Sequence, residues 1–319
     1  MELSGKARLL QQNMPKSILF IHGRNWKPPE QDLVSLWREA LHHGLLRDYP
    51  AAARRLEKTR SAMAYYGDLS NAFLEQNTGK SVPDELADRQ MTLGRLKRYR
   101  SDEFTEKNFR QLPDLARYGE AITQGMGTLA QFLRLGRPMV ERLAPDMREY
   151  WNQDSDFGTE VRHRVVQALK TTMERNDRLL VISHSLGAVV AYDAFWKLSR
   201  TVEYREQYGD RKVDLWITLG SPLANATARR HLKGYHASGA RQYPSCVNRW
   251  INVRAEDDYI AGERDCAEEF SEMKEHGLVE DIQDFTIYNL AVRQGRSNPH
   301  CSLGYLIHPA VSLAVADWV

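Results

Sequence analysis

The first clear pattern in the chain is an unbroken apolar run, "SILFIHG", at 17–23. Unbroken rather than alternating apolarity predicts a strand buried on both faces, as in a parallel sheet. From 28 to 46 the apolar positions recur at helical spacing instead, through Leu33, Leu36, Trp37, Ala40 and Leu41, with Pro28 and Pro29 near the start. Further candidate strands lie at 61–67 ("SAMAYYG"), 178–183, 213–223 ("VDLWITLGSPL"), 246–253 ("CVNRWINV") and 284–288 ("DFTIY"). A stretch at 159–175 places Val161, Val165, Ala168, Leu169 and Thr172 on one helical face and leads into the strand at 178. Strands alternating with helices predict an α/β fold with a doubly wound, mainly parallel sheet flanked by helices.

Between about 67 and 151 the pattern changes to a charged, helix-forming segment with little strand character. A compact sheet has no need of it as a connection. It reads as a helical, cap-like insertion in a single domain spanning 1–319. Within it, "RQMTLGRLKRYR" (89–100) sets Arg89, Arg95, Lys97, Arg98 and Arg100 close to Met91, Leu93, Leu96 and Tyr99. The favoured expectation is a solvated helix whose apolar stripe packs on the body. The same segment is compatible with peripheral contact with an anionic membrane surface. A second stretch, "LAQFLRLGRPMVERL" (129–143), carries an apolar stripe able to roof a lipid-binding pocket.

Charge and cysteine content narrow the function classes. Lys and Arg number 44 against 42 Asp and Glu, so no global field calls for a nucleic-acid partner. The cysteines (Cys246, Cys266, Cys301) are odd in number and lack CxxC spacing, which argues against a disulfide scaffold or zinc site. No window approaches the length needed to cross a bilayer, and the N-terminus lacks a signal-like apolar run. The expectation is a cytoplasmic protein with no metal and no cofactor; the oligomeric state is not legible.

The chemistry concentrates at "VISHSLGAVVAYD", 181–193, where a strand feeds a helix through Ser183-His184-Ser185-Leu186-Gly187. Such a turn is sharp, strains the residue at its apex and lifts Ser185 clear of the sheet. Small residues are required two positions before and after the apex, and Ser183 and Gly187 meet that demand. Two other groups follow in order. Asp258 lies just past the strand at 246–253, and His300 lies in the loop after the last strand. A serine nucleophile needs a base and a group to orient the base. Ligands of open α/β sheets sit at the carboxyl ends of the strands.

On "ILFIHGRNW", "VISHSLGAVVAYD", "TLGSPL", "INVRAEDDYIAG" and "NPHCSLGYL", the chain resembles the α/β-hydrolase fold family, and its lipase- and esterase-type members most. The resemblance covers most of the chain outside 67–151. It implies that Ser185 is the nucleophile, His300 the base and Asp258 the acid, with Asp257 the competing acid. It also implies an oxyanion hole made by the backbone amide of Leu186 and that of Gly23 or Arg24, with His22 organising the loop. Ser183 departs from the family's first glycine. The expected activity is hydrolysis of a small-molecule or lipid acyl ester through an acyl-enzyme. Two other readings stay open: an inactive hydrolase scaffold used for binding or regulation, and an effector hydrolase that docks on membranes.

The remaining polar candidates have plainer expectations. His184 is expected to pack or hydrogen-bond beside the strand, His308 to cap a helix, Cys301 to be structural and Asp193 to anchor a neighbouring backbone. Ser221 is expected to cap a helix beginning at Pro222.

Overall fold

The strands pair in the order β2-β1-β3-β4-β5-β6, and every neighbouring pair is parallel. They are β1 (Lys16–Ile21), β2 (Arg60–Ala64), β3 (Arg178–His184), β4 (Val213–Leu219), β5 (Val247–Ala255) and β6 (Asp281–Ile287). This is a computed structural model, and it describes residues 14–81, 83–113, 145–152, 154–175, 177–262 and 264–319. All six sequence-predicted strands are present, so the α/β expectation holds. The order reverses between β1 and β3, which places a crevice beyond their carboxyl ends.

Parallel strands need crossovers, and the helices that supply them cover both faces. Helices α1 (Glu30–Asp48) and α2 (Pro50–Glu57) join β1 to β2. Between β2 and β3 lie α3 (Gly67–Thr78), α4 (Glu85–Leu96), α5 (Glu106–Arg110), α6 (Pro145–Trp151) and α7 (Asp156–Met173). After β3 come α8 (Leu186–Arg200) and α9 (Val202–Tyr208); after β4, α10 (Ala226–Arg229); after β5, α11 (Cys266–Glu269) and α12 (Ser271–Glu275). The chain ends with a short hairpin, β7 (Val292–Arg293) and β8 (Arg296–Ser297), then α13 (Ser302–Leu306) and α14 (Pro309–Trp318).

Strand alternation splits the core in two. Leu19, Ile21, Val181, Trp216 and Trp250 pack with Val165 and Leu169 of α7 and Val189 and Phe195 of α8. Ile18, Phe20, Leu180, Ile182 and Ile217 pack on the other face with Trp37 and Leu41 of α1 and Val315 of α14. Each neighbour in a run such as Ile18-Leu19-Phe20-Ile21 therefore serves the opposite core. Helix α8 is buried almost all round, which explains its uninterrupted apolar start.

Among the described residues, 67–151 contributes helices and no strand to the sheet. Helix α4 buries Leu93 and Leu96 against the body and leaves Met91 exposed. Its Arg89 is not solvated as expected but buried, at 7% exposure. The 129–143 stripe lies outside the described residues. Among them, no helix is long and apolar enough to cross a membrane.

One boundary moves in a way that matters. The strand predicted to 223 stops at Leu219, because Gly220 takes φ +55°. No helix starts at Pro222. Ser221 Oγ accepts the Leu223 amide at 3.2 Å and closes a turn. The helix begins at Ala226, capped by Asn225, whose Oδ1 accepts the Thr227 amide at 2.9 Å.

Candidate active site

Ser185 stands at the end of the central strand β3, with φ 56° and ψ −128°. A non-glycine residue there is strained, and the surroundings must hold it. The Ser185 amide donates to Leu219 O at 2.9 Å. Close approach does the rest. A Cβ at Gly187 would run into the carbonyls of Ile21 and His22, and one at Gly23 would lie 2.8 Å from Ser185 Cβ. The loop after β1 thus lies directly against the apex serine, at the crevice the strand order creates.

His300 and Asp258 converge on that serine. His300 Nε2 lies 2.8 Å from Ser185 Oγ. His300 Nδ1 lies 2.8 Å from Asp258 Oδ2 and 3.1 Å from Oδ1. With Nδ1 donating to the carboxylate, Nε2 is left as an acceptor for the serine hydroxyl. The competing acid does not reach the imidazole: Asp257 is exposed, with φ 59°, while Asp258 is buried. The left-handed residue at 257 turns the chain so that the next carboxylate faces inward.

Each member of this chain has its own supports. Asp258 also accepts the Tyr305 hydroxyl at 2.6 Å and the Ile260 amide at 3.1 Å. Burial pushes the Tyr305 hydroxyl well above its ordinary pKa, so it remains a donor. His184 Nε2 lies 2.8 Å from His300 O, and the two imidazole rings are 4.6 Å apart. Burial first, and then the neighbouring His300, pull His184 well below its ordinary value. A neutral His184 can donate from Nε2 and fix the His300 backbone. Asn289, fully buried, donates from Nδ2 to Pro299 O at 2.8 Å and to Cys301 O at 3.0 Å. It clamps the loop on both sides of His300.

The loop after β1 and the start of α8 are equally ordered. Leu186 opens α8, so its amide has no acceptor one turn earlier. His22 Nε2 accepts the Tyr66 amide at 3.1 Å, which puts its proton on Nδ1, 2.8 Å from Gly23 O. Burial, aided by the Lys27 charge, lowers the His22 pKa far enough to keep it neutral. Lys27 Nζ donates to Arg24 O, to Asn25 O at 2.9 Å and to Trp26 O at 3.3 Å. One buried ammonium therefore gathers three successive carbonyls of the loop that carries Gly23 and Arg24.

Ser183, the departure from glycine at this turn, has a polar partner. Its Oγ accepts Trp216 Nε1 at 2.8 Å. It begins a row of register neighbours across the sheet, Ser183, Thr218, Asn252 and Asp284. Trp250 Nε1 donates to Thr218 Oγ1 at 3.0 Å, and Thr218 Oγ1 to Asn252 Oδ1 at 2.7 Å. Asn252 Nδ2 donates to Asp284 Oδ1 at 2.7 Å.

The sequence expectation at this edge rests on Ser221, the neighbour of Gly220. Gly220 proves to be the closer residue: a Cβ there would lie 2.8 Å from Asp258 Oδ2 and 3.1 Å from His300 Nδ1. Its positive φ and lack of side chain leave room for the acid–imidazole pair. The signal in the sequence was a glycine ending a strand at the site edge. Tyr305 and Asn289 carried no comparable signal.

The other candidates take structural roles. His308 caps α14, accepting the Ala310 amide at 3.1 Å. Asp193, fully buried, accepts the Tyr150 hydroxyl at 2.7 Å and the Lys233 amide at 2.8 Å, and so ties α6 to α8. Cys301 is buried at the start of α13. Among the described residues, no group of three or more His, Cys, Asp or Glu could hold a metal ion. Comparison with protein-family models finds no family that matches the chain, and comparison with curated proteins finds no relative.

Proposed function

We propose that this protein is a serine hydrolase of the α/β-hydrolase kind that cleaves carboxylic esters. The observation that carries the proposal is the position of His300, 2.8 Å from Ser185 Oγ on one side and 2.8 Å from Asp258 Oδ2 on the other. In this reading His300 Nε2 takes the serine proton as Oγ attacks the acyl carbonyl. The carbonyl oxygen gains the negative charge and meets the amides of Leu186 and of Gly23 or Arg24. Imidazolium then protonates the departing alkoxide, leaving an ester on Ser185. Water enters, His300 takes its proton, and the acid is released as the proton returns to Ser185.

Each supporting contact has a place in that cycle. Asp258 steadies the imidazolium that forms twice per turnover. Tyr305 and the Ile260 amide keep the carboxylate fixed while it does so. Lys27 and the neutral His22 hold the β1 loop in the shape that presents its amides, so little reorganisation is needed when charge develops. The test is steady-state hydrolysis of p-nitrophenyl esters. Ser185→Ala is expected to lower kcat by roughly 10⁴–10⁶-fold; unchanged turnover would contradict the proposal.

A further inference from the structure

The lining of the cleft beside Ser185 includes Arg24, Lys27, Arg89, Arg293 and Asn298. No aspartate or glutamate lines it among the described residues. The carboxylates that partner the two buried-side arginines, Glu85 and Asp88, stand behind them on α4. Arg89 uses Nε and Nη2 on Glu85 Oε2, at 3.1 and 2.8 Å. Arg293 uses Nε on Asp88 Oδ2 at 2.6 Å, and Nη2 on Asp88 Oδ2 and Glu85 Oε2 at 2.5 and 3.0 Å. In both guanidinium groups the nitrogen left out of these pairs is Nη1, which carries two N–H donors.

Asn298 gives an independent sign. Asn298 lines the same cleft, and its Oδ1 is buried with no hydrogen-bond partner. A half-turn of the amide would bring Nδ2 there as a further donor. The Lys27 ammonium is directed at loop carbonyls, so it adds charge to the cleft while the arginines supply the directional donors. A guanidinium edge matches a carboxylate or a phosphate, and such charge-assisted bonds are the strong ones. A purely alkyl substrate would cover these donors without satisfying them.

We infer that the substrate carries an anionic oxygen group, carboxylate or phosphate, held by Nη1 of Arg89 and Arg293 while its ester lies at Ser185. The inference rests on the serine-ester reading above and names the substrate class for that same site. Two matched pairs test it: p-nitrophenyl hexanoate against mono-p-nitrophenyl adipate, and 1-hexanoylglycerol against its 3-phosphate. The first pair places the anion on the acyl side, the second on the leaving group. The expected result is a kcat/KM at least about tenfold higher for the anionic member of one pair. Arg293→Lys keeps the charge beside Asp88 and removes Nη1, and is expected to cut that preference by about fivefold or more. The wild-type ratios stand whether or not this variant folds. Equal rates within both pairs overturn the inference and leave the ester reading in place. Serine labelling by a fluorophosphonate without turnover of any of the four esters also overturns it. Absence of both labelling and turnover overturns the ester reading itself.

Discussion

Tyr305 donates its hydroxyl to Asp258 Oδ2 at 2.6 Å. The same phenol oxygen accepts the Ala255 amide at 2.8 Å. It therefore links the end of β5 to the carboxylate that follows it, and keeps that carboxylate aimed at His300. Tyr305→Phe removes a bond to a charged group and leaves a buried amide without its acceptor. The expected outcome is a kcat lowered about tenfold with KM within about twofold, because the contact matters most when His300 is protonated. Steady-state hydrolysis checks it, and an unchanged kcat would show that Asp258 is held well enough without Tyr305.

Ser183 is expected to be necessary where a glycine would be sterically sufficient. Ser183→Gly leaves Trp216 Nε1 buried with no acceptor and is expected to cost about 1–3 kcal/mol. Urea unfolding monitored by tryptophan fluorescence measures it. A glycine variant as stable as the parent would mean that the indole finds another partner, and that Ser183 is tolerated for size alone.

The acid limb of stability should depend on His308. Burial holds its pKa down to about 3, while an unfolded chain titrates it near 6.5. A depressed folded value means that the unfolded chain binds the proton first. The His308 contribution to stability is therefore fully present above about pH 6.5 and is lost as pH falls towards 3. The linkage limit is about 5 kcal/mol over that window. His308→Asn keeps a side-chain oxygen for the Ala310 amide but no longer titrates. Its stability is expected to fall less steeply than that of the parent between pH 6.5 and 4 in paired urea titrations. Parallel curves would contradict this.

The sheet was legible because β1 and β3 are apolar without interruption, which only burial on both faces allows. Ser185, Asp258 and His300 were legible for a related reason. Ser185 and Asp258 lie just past the ends of β3 and β5, where a parallel sheet brings such positions to one edge, and His300 lies in the segment that follows β6. The supports were not, because they depend on where chains cross rather than on local pattern. Asn289 meets His300's loop across a turn, and Tyr305 meets Asp258 from another element. Ser183 meets Trp216 because β3 and β4 share a register, which no spacing in either strand reveals. Pro222 read as a helix start, yet the Ser221 hydroxyl closed a turn first and the helix waited for Asn225. Arg89 read as solvated from its charged surroundings, and only the placement of Glu85 on the same helix and Arg293 on β7 explains its burial.

The proposed function rests on Ser185 as a nucleophile activated by His300. Intact-mass measurement after treatment with a fluorophosphonate tests it most directly. The expected result is a single adduct on the wild-type chain, none on Ser185→Ala, and labelling slowed by about a hundredfold or more on His300→Ala. Equal labelling of the wild type and Ser185→Ala, or no labelling of the wild type, would contradict it.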